Sequence, residues 1–166
     1  LWPREPLPRK VNNASIVLRV SYGKVSFLFT GDIEAEAEGM LLSDDMLLSE
    51  ESETKVVLLS TVLKVAHHGS RSSSTLFFLK AVKPKVAVIT VGAGNPYGHP
   101  SKSTLEALSS IKATIYRSDL HGTITVETDG TTYKVFTGKV STGKVLTDKV
   151  FTGKAFTRRE AIKGAA

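Results

Sequence analysis

The apolar positions of this chain fall into short blocks separated by polar punctuation, and the spacing within each block predicts its element. Residues 15–20 and 25–30 are runs rich in Val, Ile, Leu and Phe, joined by Tyr22, Gly23 and Lys24. That pattern reads as a β-hairpin with glycine supplying the turn. Residues 33–42, rich in Glu, Ala and Leu, favour a helix, and the acidic stretch 43–53 reads as a solvated helix face or a loop. The apolar run 56–66 is interrupted by Ser60 and Thr61, and its second part is short enough for a buried strand ending on His67 and His68. A helix is predicted over 76–82, with Ser72, Ser73 and Ser74 as N-cap candidates and Pro84 as terminator. Residues 85–91 predict a second buried strand, followed by a Gly/Pro-rich loop over 92–100. Ser101 is positioned to cap a helix running to about Ile111, 114–118 reads as a strand, and 123–127 and 131–136 flank an Asp129-Gly130 hairpin turn. Residues 1–10, with three prolines and no periodicity, predict an extended lead-in wrapping the surface. Strands alternate with helices between antiparallel pieces at both ends, so the fold class is α/β.

From Lys134 the pattern changes to a five-residue unit, Lys-Val-Phe-Thr-Gly and its variants, repeated to Thr157. A period of five matches neither the helix nor the strand, so no single face collects the apolar residues. The expected organisation is a domain over 1–135 and a low-complexity Lys/Val/Thr/Gly tail over 136–166. The tail reads as a poorly ordered or accessory basic segment, or alternatively as an arm gripping phosphates through counterion release. Charge supports that division. The net charge is +6, and the stretch from Lys134 onward carries eight Lys or Arg against two acidic residues, while the rest of the chain is balanced. The basic isoelectric point therefore says nothing about what the body binds.

The 166 residues suffice for one domain of ordinary size. No run of 18 apolar residues encodes a membrane span, and no charged leader with an apolar stretch and cleavage site is present. With no cysteine, any metal must be held by His, Asp or Glu. Gly31-Asp32, His67-His68 and His99 each follow a predicted strand. If those strands are neighbours in one sheet, an Asp and two or three His converge on one edge, a donor set that suits Zn(II), Mn(II) or Fe(II). Taken singly, each has a plainer reading. Gly31-Asp32 is also a turn or helix cap, and His121-Gly122 a turn before a hairpin. Ser70 stands beside His68 but lacks the surroundings of a nucleophile elbow.

Four phrases in order, residues 12–20, 27–34, 62–70 and 95–100, are very similar to the metallo-β-lactamase-like domain of ComEC-type DNA-internalisation competence proteins. The resemblance covers roughly residues 1–135. It implies an αββα sandwich, here its C-terminal half, with two divalent metal ions (Zn or Mn) at one sheet edge in the complete domain. It assigns Asp32 to the carboxylate bridging the ions, His67 to a ligand of the second ion, and His68 and His99 to positions near the substrate. Asn12 and Asn13 stand where many superfamily members place another metal-binding His. The His-x-His-x-Asp-His signature that supplies most ligands is absent. With a chain starting at Leu1, this leads us to expect a segment of a longer domain that binds metal weakly alone, the alternative being loss of catalysis. The implied activity is a metal-dependent phosphodiesterase or nuclease acting on DNA during uptake for natural transformation. Its partners would be DNA and a membrane channel domain of the same parent chain, with this domain outside the cytoplasm. The alternatives are a catalytically silent DNA-handling or assembly domain, and a hydrolase of a small phosphoester or lactone.

Overall fold

The two predicted N-terminal strands form β1 (Leu18–Tyr22) and β2 (Val25–Phe29), antiparallel with Tyr22 opposite Val25. Gly23 turns the hairpin at φ 57°, where a Cβ would overlap the Gly130 carbonyl. The computed structural model describes residues 1–47, 58–138, 140–141, 144–145 and 149–154. Three parallel strands, β3 (Val62–Lys64), β4 (Val86–Ile89) and β5 (Thr114–Arg117), extend the sheet in the order β1-β2-β3-β4-β5. Helices α1 (Ala35–Leu47), α2 (Leu76–Val82) and α3 (Lys102–Ser110) alternate with these strands, and a four-residue helix α4 (Ser118–His121) follows β5. The mixed sheet with its helices is an α/β architecture, as the alternation predicts. The acidic residues 48–53 lie outside the described residues.

Period two along each parallel strand divides its side chains between two cores. Leu63, Ala87 and Ile89 point to one side and pack with Ala37 and Leu41 of α1, Phe78, Leu79 and Val82 of α2 and Leu108 of α3. Val62 and Val86 point to the other side and meet Val25, Tyr116, Tyr133 and Val135. Burial on both faces is why these strands read as continuous apolar runs rather than alternating ones. The lead-in does more than wrap the surface. Trp2 is buried, bridges to Val17, and its indole N–H donates to the Asn13 carbonyl at 2.6 Å.

Thr75, and none of Ser72, Ser73 and Ser74, caps α2, its hydroxyl accepting the Phe78 N–H at 3.3 Å. The serines are engaged elsewhere: Ser73 Oγ donates to the Ile33 carbonyl, and the Ser74 and Thr75 N–H groups donate to the two carboxylate oxygens of buried Glu38 at 2.5 and 2.8 Å. Ser101 caps α3 as expected, accepting the Thr104 N–H at 3.2 Å.

A second sheet has the order β10-β7-β6, from β6 (Thr123–Thr128), β7 (Thr132–Gly138) and β10 (Lys149–Lys154); a pair of two-residue strands, β8 (Val140–Ser141) and β9 (Lys144–Val145), lies between β7 and β10 in sequence. The expected boundary at residue 135 therefore falls inside a strand, and part of the expected tail is a structural element. β7 and β10 contain identical Lys-Val-Phe-Thr-Gly units, paired antiparallel with Phe151 opposite Val135 and Gly153 opposite Tyr133. A five-residue period denies the whole tail an apolar face, but one six-residue strand needs only its own alternation. Phe151 meets the Tyr116 ring edge-on at 5.5 Å, and Gly153 leaves room for Tyr133, whose ring a Cβ at that position would overlap. The following residues of the tail, 155–166, lie outside the described residues. Among the described residues no helix is long and apolar enough to cross a membrane.

Candidate functional site

β2, β3 and β4 are adjacent and parallel, so the loops that follow them leave the same edge of the sheet. Those loops carry Asp32, His67 with His68, and His99. After β2, Thr30 Oγ1 donates to the Lys64 carbonyl at 2.7 Å, tying the β2 and β3 ends together. Gly31 then turns at φ 54°, where a Cβ would lie 2.6 Å from the Ser15 Cβ, and the Asp32 N–H donates to Ser15 Oγ at 3.0 Å. After β3, the tight turn Ala66–Gly69 holds His67 and His68 at φ 47° and 55°. Left-handed backbone at two consecutive non-glycine residues is costly and is found where surrounding contacts impose it. Here the His67 N–H donates to the Gly31 carbonyl at 3.1 Å and the Ser70 N–H to the His67 carbonyl at 2.8 Å.

The geometry gathers the expected residues. The His67 ring lies 6.4 Å from that of His68 and 5.9 Å from that of His99, both edge-on. His68 Nε2 stands 3.9 Å from Asp32 Oδ1, an ion-pair separation if the imidazole is protonated and too long for a hydrogen bond. His68 Nδ1 lies 2.6 Å from the Thr90 carbonyl, which can only accept, so Nδ1 carries a proton and Nε2 is the ring nitrogen facing Asp32. Burial, then the neighbouring His67 and His68, push the His99 pKa down from its ordinary 6.5, which favours the neutral ring. Lys64 approaches the Gly31 carbonyl at 3.4 Å; burial lowers its pKa, and the nearby Asp32 carboxylate opposes that. His121 stays apart from the cluster, on α4, with Nδ1 3.0 Å from Arg117 N.

Glu34 was not singled out by the sequence, although it lies two residues beyond Asp32. Its Oε1 stands 3.8 Å from His67 Nδ1 and accepts from Asn12 Nδ2 at 3.3 Å and Ser72 Oγ at 3.4 Å. Asn13 Oδ1 accepts the Glu34 N–H at 2.8 Å, and Asn13 Nδ2 donates to Glu36. Asn12 and Asn13 thus sit behind the cluster and hold Glu34 toward His67. A polar residue spaced two from an aspartate carries no sequence signal for this role.

His67 Nδ1 is buried without a hydrogen-bond partner. Such an atom is costly unless something in the functioning molecule completes it. Imidazole and carboxylate donors suit the divalent ions that the resemblance implies. Their number does not: among the described residues, no group of three or more His, Asp or Glu side chains is close enough to hold an ion. An ion seated on Asp32 or His67 needs ligands from beyond the described residues.

The chain is 36% identical over 124 residues to ComE operon protein 3 of Bacillus subtilis, covering 75% of this chain and 15% of that protein. Recombination protein 2 of Haemophilus influenzae is 32% identical over 126 residues, covering 76% of this chain and 14% of the relative. Competence protein ComA of Neisseria gonorrhoeae is 34% identical over 113 residues, covering 68% and 15%. No family model and no solved structure matches the chain. The chain spans about 15% of the length of the curated relatives it matches. Shared phrases and three such relatives together establish that this chain belongs to the ComEC-type competence proteins, as a short stretch of proteins of that kind.

Proposed function

We propose that this stretch is the C-terminal half of a metallo-β-lactamase-like αββα domain, whose complete form hydrolyses phosphodiester bonds of DNA during uptake. The observation that carries the reading is the buried Nδ1 of His67, without a hydrogen-bond partner among the described residues, at a sheet edge shared with Asp32, His68 and His99. The names of the relatives, a competence protein and a recombination protein among them, support DNA as the substrate. Asp32 and His67 are the ligands this chain contributes, and bound divalent ions would supply an activated water and charge neutralisation at the phosphate. His68, with Nδ1 committed to the Thr90 carbonyl, takes up a proton at Nε2 beside Asp32 and gives it to the leaving oxygen. His99, held toward its neutral form, orients the phosphate without adding charge. A membrane channel in the same parent chain, with this domain outside the cytoplasm, completes the proposal.

A second reading, a silent DNA-handling or assembly domain, is favoured by the lack of a three-ligand group among the described residues. Metal content and DNA hydrolysis of the full-length parent protein separate the two. Asp32→Ala should cost both metal and turnover, and Asp32→Asn should fold but still fail to hold the ions. His67→Ala should lose mainly one ion, and His99→Ala should keep metal and lose rate. Full metal and full activity in Asp32→Asn would defeat the assignment.

A further inference from the structure

The loop between β4 and α3 carries a feature that the proposed chemistry does not use. Tyr97 is 78% exposed, and its ring lies nearly parallel to that of His99 (22°) with centroids 5.9 Å apart. Beneath it, Asn95 clasps the loop: Nδ2 donates to the Gly92 carbonyl at 3.1 Å and to the His99 carbonyl at 2.7 Å, and Oδ1 accepts the His99 N–H at 3.0 Å. The far end of the loop is locked to the histidine turn. Pro100 packs so closely on Gly69 that a Cβ there would stand 2.6 Å from its Cβ, and the Ser101 N–H donates to the Gly69 carbonyl at 2.8 Å. The loop that carries Tyr97 and His99 is thus tied directly to the turn that carries His67 and His68.

We infer that Tyr97 is a stacking platform for an unpaired nucleobase, setting the strand's position relative to the histidine cluster, an inference that rests on the nucleic-acid reading of the site. The ring lies against His99 and stays largely exposed, which leaves surface for a flat aromatic ligand. A tyrosine has only two side-chain torsions, so it takes a base at low cost in rotamer freedom. Rings step inward from Tyr97 to His99 to His67 at 5.9 Å each, so a base on Tyr97 places the same short strand against the cluster. In a duplex the faces of the bases are covered by their neighbours, so the platform selects single-stranded or frayed ends. Stacking of this kind is tolerant of base identity, because every base has a π-face.

The test is equilibrium binding by the full chain of a labelled oligothymidylate and of an abasic strand of the same length. Both strands carry the same phosphates, so the ratio of the two affinities isolates the base. The oligothymidylate should bind about tenfold tighter than the abasic strand. Tyr97→Ala should bring the ratio close to one, and Tyr97→Phe should preserve it. A ratio near one in the unmutated chain, an unchanged ratio in Tyr97→Ala, or a loss in Tyr97→Phe equal to that in Tyr97→Ala would overturn the platform. Metal-dependent cleavage by the full-length protein without base preference in binding overturns the platform and leaves the hydrolase reading standing. Base-preferring binding without cleavage does the reverse.

Discussion

Replacing Gly153 with alanine tests whether one glycine selects which copy of the repeat becomes β10. The added Cβ would overlap the ring of Tyr133, which is itself buried in the second core. Overpacking of this kind costs about 1–3 kcal/mol when the neighbour must give way. An edge strand has another outlet, which is to detach. What β10 contributes then sets a ceiling on the loss. Phe151 is 43% exposed, so its burial adds about 1 kcal/mol, and each ladder hydrogen bond about 0.5–1.5 kcal/mol net of desolvation. Against these stands the ordering of the segment at about 1–2 kcal/mol per residue, which leaves the strand only weakly held. Gly153→Ala should therefore release residues 149–154 while the five-stranded sheet stays folded. Native-state hydrogen exchange reads this directly: protection of the 149–154 amides should fall at least about tenfold, with β3 and β4 unaffected. Of the later units, 144–148 ends on Asp148 and 154–158 on Arg158, which the Tyr133 ring excludes in the same way, and 139–143 follows β7 too closely to turn back. The double variant Asp148→Gly with Gly153→Asp should accordingly transfer protection to residues 144–148. Undiminished protection of 149–154 in Gly153→Ala would refute the argument.

Glu38→Ala should destabilise the fold by about 2–5 kcal/mol in chemical denaturation, because it strands the Ser74 and Thr75 N–H groups, and Glu38→Gln should lose less because one acceptor remains. Burial raises the Glu38 pKa despite those N–H donors. The folded state thus holds the proton more tightly than the unfolded state, so this group's contribution is greatest below the unfolded carboxylate pKa and declines as pH rises through the raised value; the slope of stability against pH should flatten in Glu38→Gln. Asp129, accepting from the Thr131 and Thr132 N–H groups and the Thr132 hydroxyl, has its pKa pulled down to about 2. Its support of the β6–β7 turn is fully present above the ordinary carboxylate pKa and is lost as pH falls from there to about 2, and an NMR titration of its carboxyl with an ordinary midpoint would contradict this. Ser101→Ala removes the α3 cap and should lower stability by about 1 kcal/mol, seen as a fall in Tm of about 2–4 °C.

Local pattern determined much of this protein. The alternation of apolar runs with Glu/Ala/Leu-rich and Ser-capped segments placed β2, β4, α2 and α3 close to their observed bounds, because those elements are specified by their own periodicity and end residues. It also put Asp32, His67, His68 and His99 at strand ends, and parallel pairing then brought them to one edge. What the tertiary structure decided depends on residues far apart in the chain. Thr75 caps α2 because Glu38, from α1, occupies the backbone N–H groups of Ser74 and Thr75. Glu34 faces His67 because Asn12 and Asn13, some twenty residues earlier, hold it there, and nothing in the spacing of the site residues encodes that hold. The repeat is the plainest case. The units have nearly identical local propensities, so what pairs 149–153 with the unit already in β7 is a long-range contact, the bare backbone of Gly153 against the ring of Tyr133.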